Sequence, residues 1–442
     1  MTAPLSRSEF AQALAYGQGR AMRHVKEHGM VDVLDLVRDA CLHCKSHDPQ
    51  CEGSRADWLM ELIAGEPEFA ELAQAILTQL PEAIEADWDS HDSGQLLDLG
   101  LSLYCAGVRE AEGGLRFAAH RILSEWNGAW HCGTVLVTLD GLQGIERLAR
   151  LCGAALRADP SNRQPTINNL TDDPDLLQQA MPHLQKMALT DPDIAAYLYA
   201  NIPLVADSTP SATQREDISL DTVLANAGNK ASESRFQFSR FGRRSTPEQR
   251  QVLFTAFNQS VDPEFDLDLL KIFSGVAPPT LSPKLKAMLD LENEVLRHAA
   301  IRAAGHLQRR ELAIWALEAL KEWRFGDETV EVLALFEHNL IQEDVAPMME
   351  FLCKHPLSEH AAHSAVMHIL SIVGERSAVG LIPLLEWAYV TTPCSLCRQH
   401  IVEWLVDEDH LNIEIIHECL FDCQEETRKL AREYLSQREE IK

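Results

Sequence analysis

The chain has 442 residues, of which 46% are hydrophobic and 6% aromatic, so it can bury a large core built mostly from Leu and Ala. Its 39 Lys and Arg against 67 Asp and Glu give a formal net charge of -28, which argues against binding a nucleic-acid backbone or an anionic membrane surface. No stretch approaches the roughly 18 uncharged apolar residues of a membrane span, and the N-terminus lacks the apolar segment of a secretory signal. We therefore expect a cytoplasmic protein, and because Leu and Ala favour helices we expect it to be all-α.

Helical patterns fill residues 1–160, which we interpret as an acidic N-terminal helical region. Residues 9–46 predict two amphipathic helices separated near Gly29, and Ser54 is suited to cap the helix that follows the loop after Cys44. Residues 130–141 are compatible with a strand or a helix. The helical pattern that continues from them favours a helix.

An acidic block lies between Arg55 and Arg109, where the sequence contains eleven Asp and Glu but no Lys or Arg. Such a block concentrates negative potential and would steer a basic partner towards itself. A solvated face that maintains solubility explains it equally well. The candidate partner contacts in this block are Glu82, Glu85, Asp87, Asp89 and Asp92.

Residues 161–245 are less regular, because Pro, Ser, Thr, Asn and Asp dominate their breaks. At the end of this region, residues 226–246 predict a long loop that carries a basic-aromatic cluster. Arginine and aromatic side chains are enriched at interface hot spots, so this loop either docks on an acidic patch of its own chain, binds a partner or is disordered. Its candidate residues are Arg235, Phe236, Phe238, Arg240, Phe241, Arg243 and Arg244.

Residues 246–442 predict a repeat array. Ser245 or Thr246 caps a helix that has Pro247 at its first position. A frame set by Arg297 then recurs at intervals of roughly 31 to 35 residues, close to the period of helix-pair repeats. Since a single amphipathic helix cannot bury its apolar stripe alone, we expect successive pairs to stack. The later anchors of the frame are Val330, Ala362, Cys397 and Arg428.

This pattern resembles the HEAT and HEAT-like repeats over about residues 280–440. The resemblance is carried by Leu296, Arg297, Ala300, Ala303, Ala304, Gly305 and Leu307, and more loosely by Thr427, Arg428, Ala431 and Leu435. It implies an α-solenoid with an extended concave surface that holds another protein. It also places Arg297 and Arg428 near helix starts, where we expect them to pair with acidic loop residues of a neighbouring repeat. Val330, Ala362 and Cys397 replace the Arg of the frame in the middle repeats.

Two groups of cysteine and histidine have residue types that zinc prefers. Eleven cysteines at irregular spacing predict reduced thiols, and both groups are also explained by thiols in or near the core. The first group comprises Cys41, His43, Cys44, His47 and Cys51. The second comprises Cys394, Cys397, His400, His417, Cys419 and Cys423.

No pattern for covalent catalysis, nucleotide binding or a zinc protease is present. An iron site of repeated His-Glu pairs, as in HEAT-repeat enzymes of the deoxyhypusine hydroxylase type, is disfavoured because His298 precedes Ala299. We therefore predict a non-enzymatic protein-binding scaffold with no cofactor, whose partner has a basic surface. Specific forms are an immunity or antitoxin-like inhibitor and a secretion-system accessory protein. The alternative is a metal-dependent enzyme or a ligand-binding protein with a site between helices.

Overall fold

The computed structural model describes residues 3–123, 128–161, 171, 173–201, 219–229, 235–374 and 379–439. All regular structure in these ranges is helical and none of it is a strand, so the prediction of an all-α chain is confirmed. Within the same ranges, no helix combines the length and apolarity that crossing a membrane requires. The chain divides into an N-terminal unit, Met1–Pro210 with Phe421–Cys423, and a C-terminal unit, Ser211–Leu420 with Gln424–Lys442.

Twelve α-helices and one short 3-10 helix, Val31–Val33, form the described part of the N-terminal unit. The α-helices are α1 (Arg7–Tyr16), α2 (Gly19–His28), α3 (Leu34–Leu42), α4 (Pro49–Glu52), α5 (Ala56–Ile63), α6 (Phe69–Asp87), α7 (His91–Cys105), α8 (Ala111–Leu123), α9 (Gly128–Asp140), α10 (Leu142–Ala158), α11 (Pro174–Ala188) and α12 (Pro192–Asn201).

The first 46 residues contain more helices than the sequence predicted. The break at Gly29 is confirmed, but α1 also ends at Gly17, which has a φ of 67°. A β-carbon at Gly17 would lie 2.3 Å from the Sγ of Cys423, so this position requires glycine for both its conformation and its close contact. The predicted loop after Cys44 contains the short helix α4, which Asp48 caps. The helical interpretation of residues 130–141 is confirmed by α9.

Close helix packing organises the core of the N-terminal unit. Helix α6 packs on α7 and α8, and α10 packs on α9 and α12. Gly153 of α10 lies directly against the backbone of α12, because a β-carbon there would be 1.7 Å from the carbonyl oxygen of Asp193. The α10–α12 contact therefore depends on the absence of a side chain at this position.

The described part of the C-terminal unit contains thirteen α-helices and an eleven-residue 3-10 helix, Gly326–Phe336, with shorter 3-10 turns. The α-helices are α13 (Leu220–Asn226), α14 (Arg235–Arg244), α15 (Pro247–Gln259), α16 (Pro263–Ile272), α17 (Pro283–Met288), α18 (Glu294–Gly305), α19 (Arg310–Glu322), α20 (Val345–Lys354), α21 (Glu359–Gly374), α22 (Ile382–Thr391), α23 (Ser395–Asp407), α24 (Ile413–Cys419) and α25 (Glu425–Glu439).

The basic-aromatic segment is a helix, so the prediction of a loop was wrong for residues 235–244. Phe238 is buried in the core of the C-terminal unit and Phe241 packs against that core. Helix α14 packs against α16 closely enough that a β-carbon at Gly242 would lie 2.0 Å from the carbonyl oxygen of Ile272. Tertiary burial of one face therefore stabilises a helix that its polar, Gly-containing sequence does not predict.

Helix α15 begins where the sequence predicted. The side chain of Thr246 accepts a hydrogen bond from the Gln249 amide at 3.3 Å, and the Gln249 side chain accepts one from the Thr246 amide at 2.9 Å. Together with Pro247 in the first turn, this capping box satisfies amides that the helix itself leaves unpaired.

Successive helices of the C-terminal unit contact one another in order. The series α16, α18, 3-10 helix Gly326–Phe336, α21, α23 and α25 is continuous, and α19 contacts α20, which contacts α22. Gly305 allows one of these contacts, because a β-carbon there would lie 2.7 Å from the carbonyl oxygen of Ala334.

Arg297 of the repeat frame makes different contacts from those expected. Arg297 is buried, donates to the carbonyl oxygen of Leu291 at 2.7 Å and stacks on the ring of Phe325, with 4.2 Å between the guanidinium carbon and the ring centroid. Arg428 pairs with Glu425 in its own helix. Arg297 is therefore held by backbone and aromatic partners, and Arg428 has a partner in its own helix.

Candidate functional site

The end of α6 and the start of α7, residues 82–92, form what we call the acidic hairpin. The side chains of Glu82, Glu85, Asp87 and Asp89 are exposed there, and Asp92 is half-buried. Ser90 caps α7 by accepting a hydrogen bond from the Ser93 amide at 3.2 Å. The local turn thus places a run of carboxylates on the surface between two well-formed helices.

Glu85 and Asp92 of the acidic hairpin contact residues outside it in the N-terminal unit. Glu85 lies 3.7 Å from the Nε of Arg121. Asp92 accepts a hydrogen bond from the Cys44 amide at 2.7 Å and lies 3.2 Å from the Nδ1 of His43. Asp92 therefore holds the segment after α3 in place, whereas the remaining carboxylates of the hairpin project from its surface.

The basic-aromatic helix α14 separates its two kinds of side chain. Arg240, Arg243 and Arg244 are exposed, whereas Phe238 is only 3% exposed. Ser239 donates to the carbonyl oxygen of Lys271 at 3.1 Å, which fixes the inner face of the helix. The side chains of Arg235 and Phe236 lie outside the described residues. The guanidinium groups of this helix can meet a partner, but Phe238 is a core residue.

The first cysteine and histidine group does not converge. Cys41 is buried, and burial raises the pKa of its thiol to about 12, whereas Cys44 is half-buried and Cys51 is exposed. Within the described ranges, no three members of this group bring their ligand atoms together. The structure instead uses His43 and Cys44 in the contacts with Asp92.

The second group is assembled differently from the sequence prediction. Cys394 and Cys397 meet His363 of α21, and the three ligand atoms lie within 4.8 Å of one another. His400 is exposed and pairs with Glu403 at 2.9 Å, so it does not join this cluster. The Cys419 thiol lies 3.6 Å from the Tyr389 hydroxyl.

Sequence reasoning missed His363, which lies 31 residues before Cys394. A local spacing rule cannot connect residues so far apart. The repeat frame contains the only signal, because His363 directly follows the anchor Ala362, and Cys397 is the next anchor along the chain. Residues at equivalent places in adjacent repeats lie close together when the helices stack.

Two further clusters combine histidine with carboxylates. His298 lies 2.7 Å from Glu328, with Glu294 nearby, and His306 lies near Glu337 and His338. The carboxylate that His298 lacks as a sequence neighbour is therefore supplied by Glu328 of the 3-10 helix Gly326–Phe336. In this cluster Glu294 is exposed, whereas His298 and Glu328 are half-buried.

Comparison with protein-family models, with curated proteins and with solved structures found no match to this chain. The HEAT-like resemblance consequently rests on the residues that carry it and stays a prediction. Candidates for function among the described residues include the acidic hairpin, the exposed arginines of α14 and the cluster of His363, Cys394 and Cys397.

Proposed function

We propose that this protein is a non-enzymatic scaffold that holds a partner protein with a basic surface, and that the acidic hairpin is part of the contact. One observation carries the proposal. The exposed carboxylates of Glu82, Glu85, Asp87 and Asp89 occupy a stretch of more than fifty residues that contains no Lys or Arg. Clustered negative charges of this kind attract a protein with a basic surface and repel proteins with an acidic surface.

The contact between the acidic hairpin and its partner is limited in strength because the carboxylates are exposed to solvent. A solvent-exposed ion pair contributes at most about 1 kcal/mol, and its field is screened beyond about 8 Å at physiological salt. Four such carboxylates therefore act mainly on the rate of association and on the choice of partner, while apolar contacts supply most of the affinity.

An α-solenoid of HEAT-like pairs is our proposal for the architecture that presents this surface. The ordered contacts from α16 to α25, and the close approach of α18 to the following 3-10 helix at Gly305, support it. Stacked repeats expose long surfaces suited to a protein partner. The charge of -28 favours two forms of this scaffold. One is an inhibitor that covers a basic toxin, as immunity proteins do, and the other is an accessory protein of a secretion system.

Isosteric neutralisation tests the proposal. The acidic-hairpin variant carries Glu82→Gln, Glu85→Gln, Asp87→Asn and Asp89→Asn. A control variant removes the same number of charges from exposed glutamates of the C-terminal unit, and its changes are Glu292→Gln, Glu350→Gln, Glu359→Gln and Glu414→Gln. Wild type and both variants are used as baits in cells of the source organism, with quantitative mass spectrometry of the retained proteins at low and high salt.

We expect wild type and control to retain the same basic protein at low salt. The amount retained by the acidic-hairpin variant should be at least about tenfold smaller. The purified pair should then show an association rate that falls as salt rises. Equal retention by all three baits would place the interface elsewhere and refute the role of the hairpin.

A further inference from the structure

We propose that His363, Cys394 and Cys397 form a binding site for a thiophilic d10 metal ion, Zn(II) or Cu(I). Two thiols and an imidazole are the ligands that both ions prefer. All three residues belong to the C-terminal unit, and their ligand atoms lie within 4.8 Å of one another. The site is independent of the acidic hairpin.

The separation of the ligand atoms matches a shared metal. Bond lengths of about 2.3 Å to sulfur and about 2.0 Å to nitrogen in a tetrahedron place these two ligand atoms about 3.5 Å apart. The Sγ of Cys397 and the Nε2 of His363 lie 3.4 Å apart. An ion could therefore enter between them with little movement of the two helices.

Helix α23 prepares both cysteines for this role. Cys394 is its N-cap and Cys397 lies three residues later, so both thiols lie at the first turn. The positive end of a helix dipole stabilises a thiolate, which is the form that binds metal. Both cysteines are about 5% exposed, and neither is part of a disulfide. The two thiols are thus largely shielded from water.

Met367 offers a fourth ligand. It lies one helical turn after His363 on α21, and its Sδ is 3.5 Å from the Sγ of Cys397. A thioether favours Cu(I), whereas Zn(II) accepts a water molecule in the fourth position equally well. Because Met367 is 48% exposed, this side of the site also provides a path for the ion.

A hydrogen bond between the Cys397 thiol and His363 would account for one contact without any metal. It would not require Cys394 and Met367 to converge at the same place. Metal content therefore decides between packing and a binding site.

The full chain is purified under reducing conditions without chelator, and its zinc and copper contents are measured. The metal-free protein is then titrated with Co(II), whose absorption spectrum reports tetrahedral thiolate coordination. We expect one equivalent of bound metal, and we expect Cys397→Ser and His363→Gln to weaken binding by at least about 100-fold, since changes to residues that merely orient ligands already cost 10–100-fold. Cys353→Ser, at an exposed cysteine of the same unit, is the matched control and should bind as wild type.

Met367→Leu distinguishes the two ions, because it should weaken Cu(I) binding and leave Zn(II) binding unchanged. Circular dichroism of each metal-free variant verifies that it is folded. The proposal is overturned if the reduced, folded wild type binds neither ion. It is also overturned if Cys397→Ser binds as tightly as wild type, or if Cys394 and Cys397 form a disulfide and bind no metal after reduction. None of these results would bear on the acidic hairpin.

Discussion

Breaking the ion pair between Arg310 and Asp344 should strongly destabilise the C-terminal unit. Asp344 is 1% exposed, and both of its carboxylate oxygens accept hydrogen bonds from the guanidinium of Arg310. The same carboxylate accepts a hydrogen bond from the Ile341 amide at 3.0 Å, and Arg310 also donates to the carbonyl oxygen of Asn339 at 3.0 Å. This network joins the start of α19 to the segment before α20.

The expected cost of breaking the pair follows from its burial. Removing one member of a buried ion pair typically costs 3–5 kcal/mol, because the other charge is left without its partner. The Arg310 side chain is 38% exposed and can still reach water, so we expect Asp344→Ala to cost about 3 kcal/mol. Arg310→Ala leaves the buried carboxylate behind and should cost a similar amount. The double variant should lose about 2 kcal/mol less free energy of unfolding than the two single variants lose together, and this difference is the coupling energy of the pair.

Urea unfolding followed by circular dichroism measures these three variants. Hydrogen exchange in peptides covering residues 307–344 assigns the loss to this network, since a chain with two units need not unfold in one step. A coupling below about 0.5 kcal/mol would show that the pair behaves as a surface ion pair, and it would refute the reasoning from burial.

Three further predictions concern single positions. Burial favours a higher pKa for Glu331, but the neighbouring His368, Ser364 and Arg302 lower its pKa to about 2. Its carboxylate therefore stabilises the fold by up to about 3 kcal/mol above pH 4.5, and this is lost as pH falls from 4.5 towards 2. Glu331→Gln should thus lower the urea midpoint of unfolding at pH 7. The difference in midpoint between variant and wild type should be smaller at pH 3. An equal difference at both pH values would contradict the lowered pKa of Glu331. Gly153→Ala should destabilise the N-terminal unit by about 2–3 kcal/mol because of overpacking, measured by thermal unfolding. Gly94→Ala, where a β-carbon meets open space, is its control and should be neutral or stabilising. Gly305→Ala should increase hydrogen exchange in residues 326–336, and unchanged exchange there would show that α18 can shift without cost.

Local signals predicted some helix boundaries whose determinants are neighbours in sequence, but they missed the end of α1 at Gly17 and the short helix α4. Thr246 and Gln249 form the capping box at α15, and Gly29 ends α2, because capping depends on residues within one turn. The same signals failed at α14, since its packing against α16 depends on contacts such as that of Gly242 with Ile272, thirty positions further along the chain. They also failed at Arg297, whose aromatic partner Phe325 comes from a later part of the chain.

By itself, the sequence determined the helical class, because helix propensity and hydrophobic periodicity act over a few residues. It also determined the exposure of the carboxylates around Glu85, because a dense run of charge cannot be buried. Only the tertiary structure brought His363 to Cys394 and Cys397 and separated His400 from them. Metal ligands must approach within a few ångströms. That distance is decided by how helices stack, and stacking depends on small residues such as Gly305 meeting a backbone some thirty residues further along the chain.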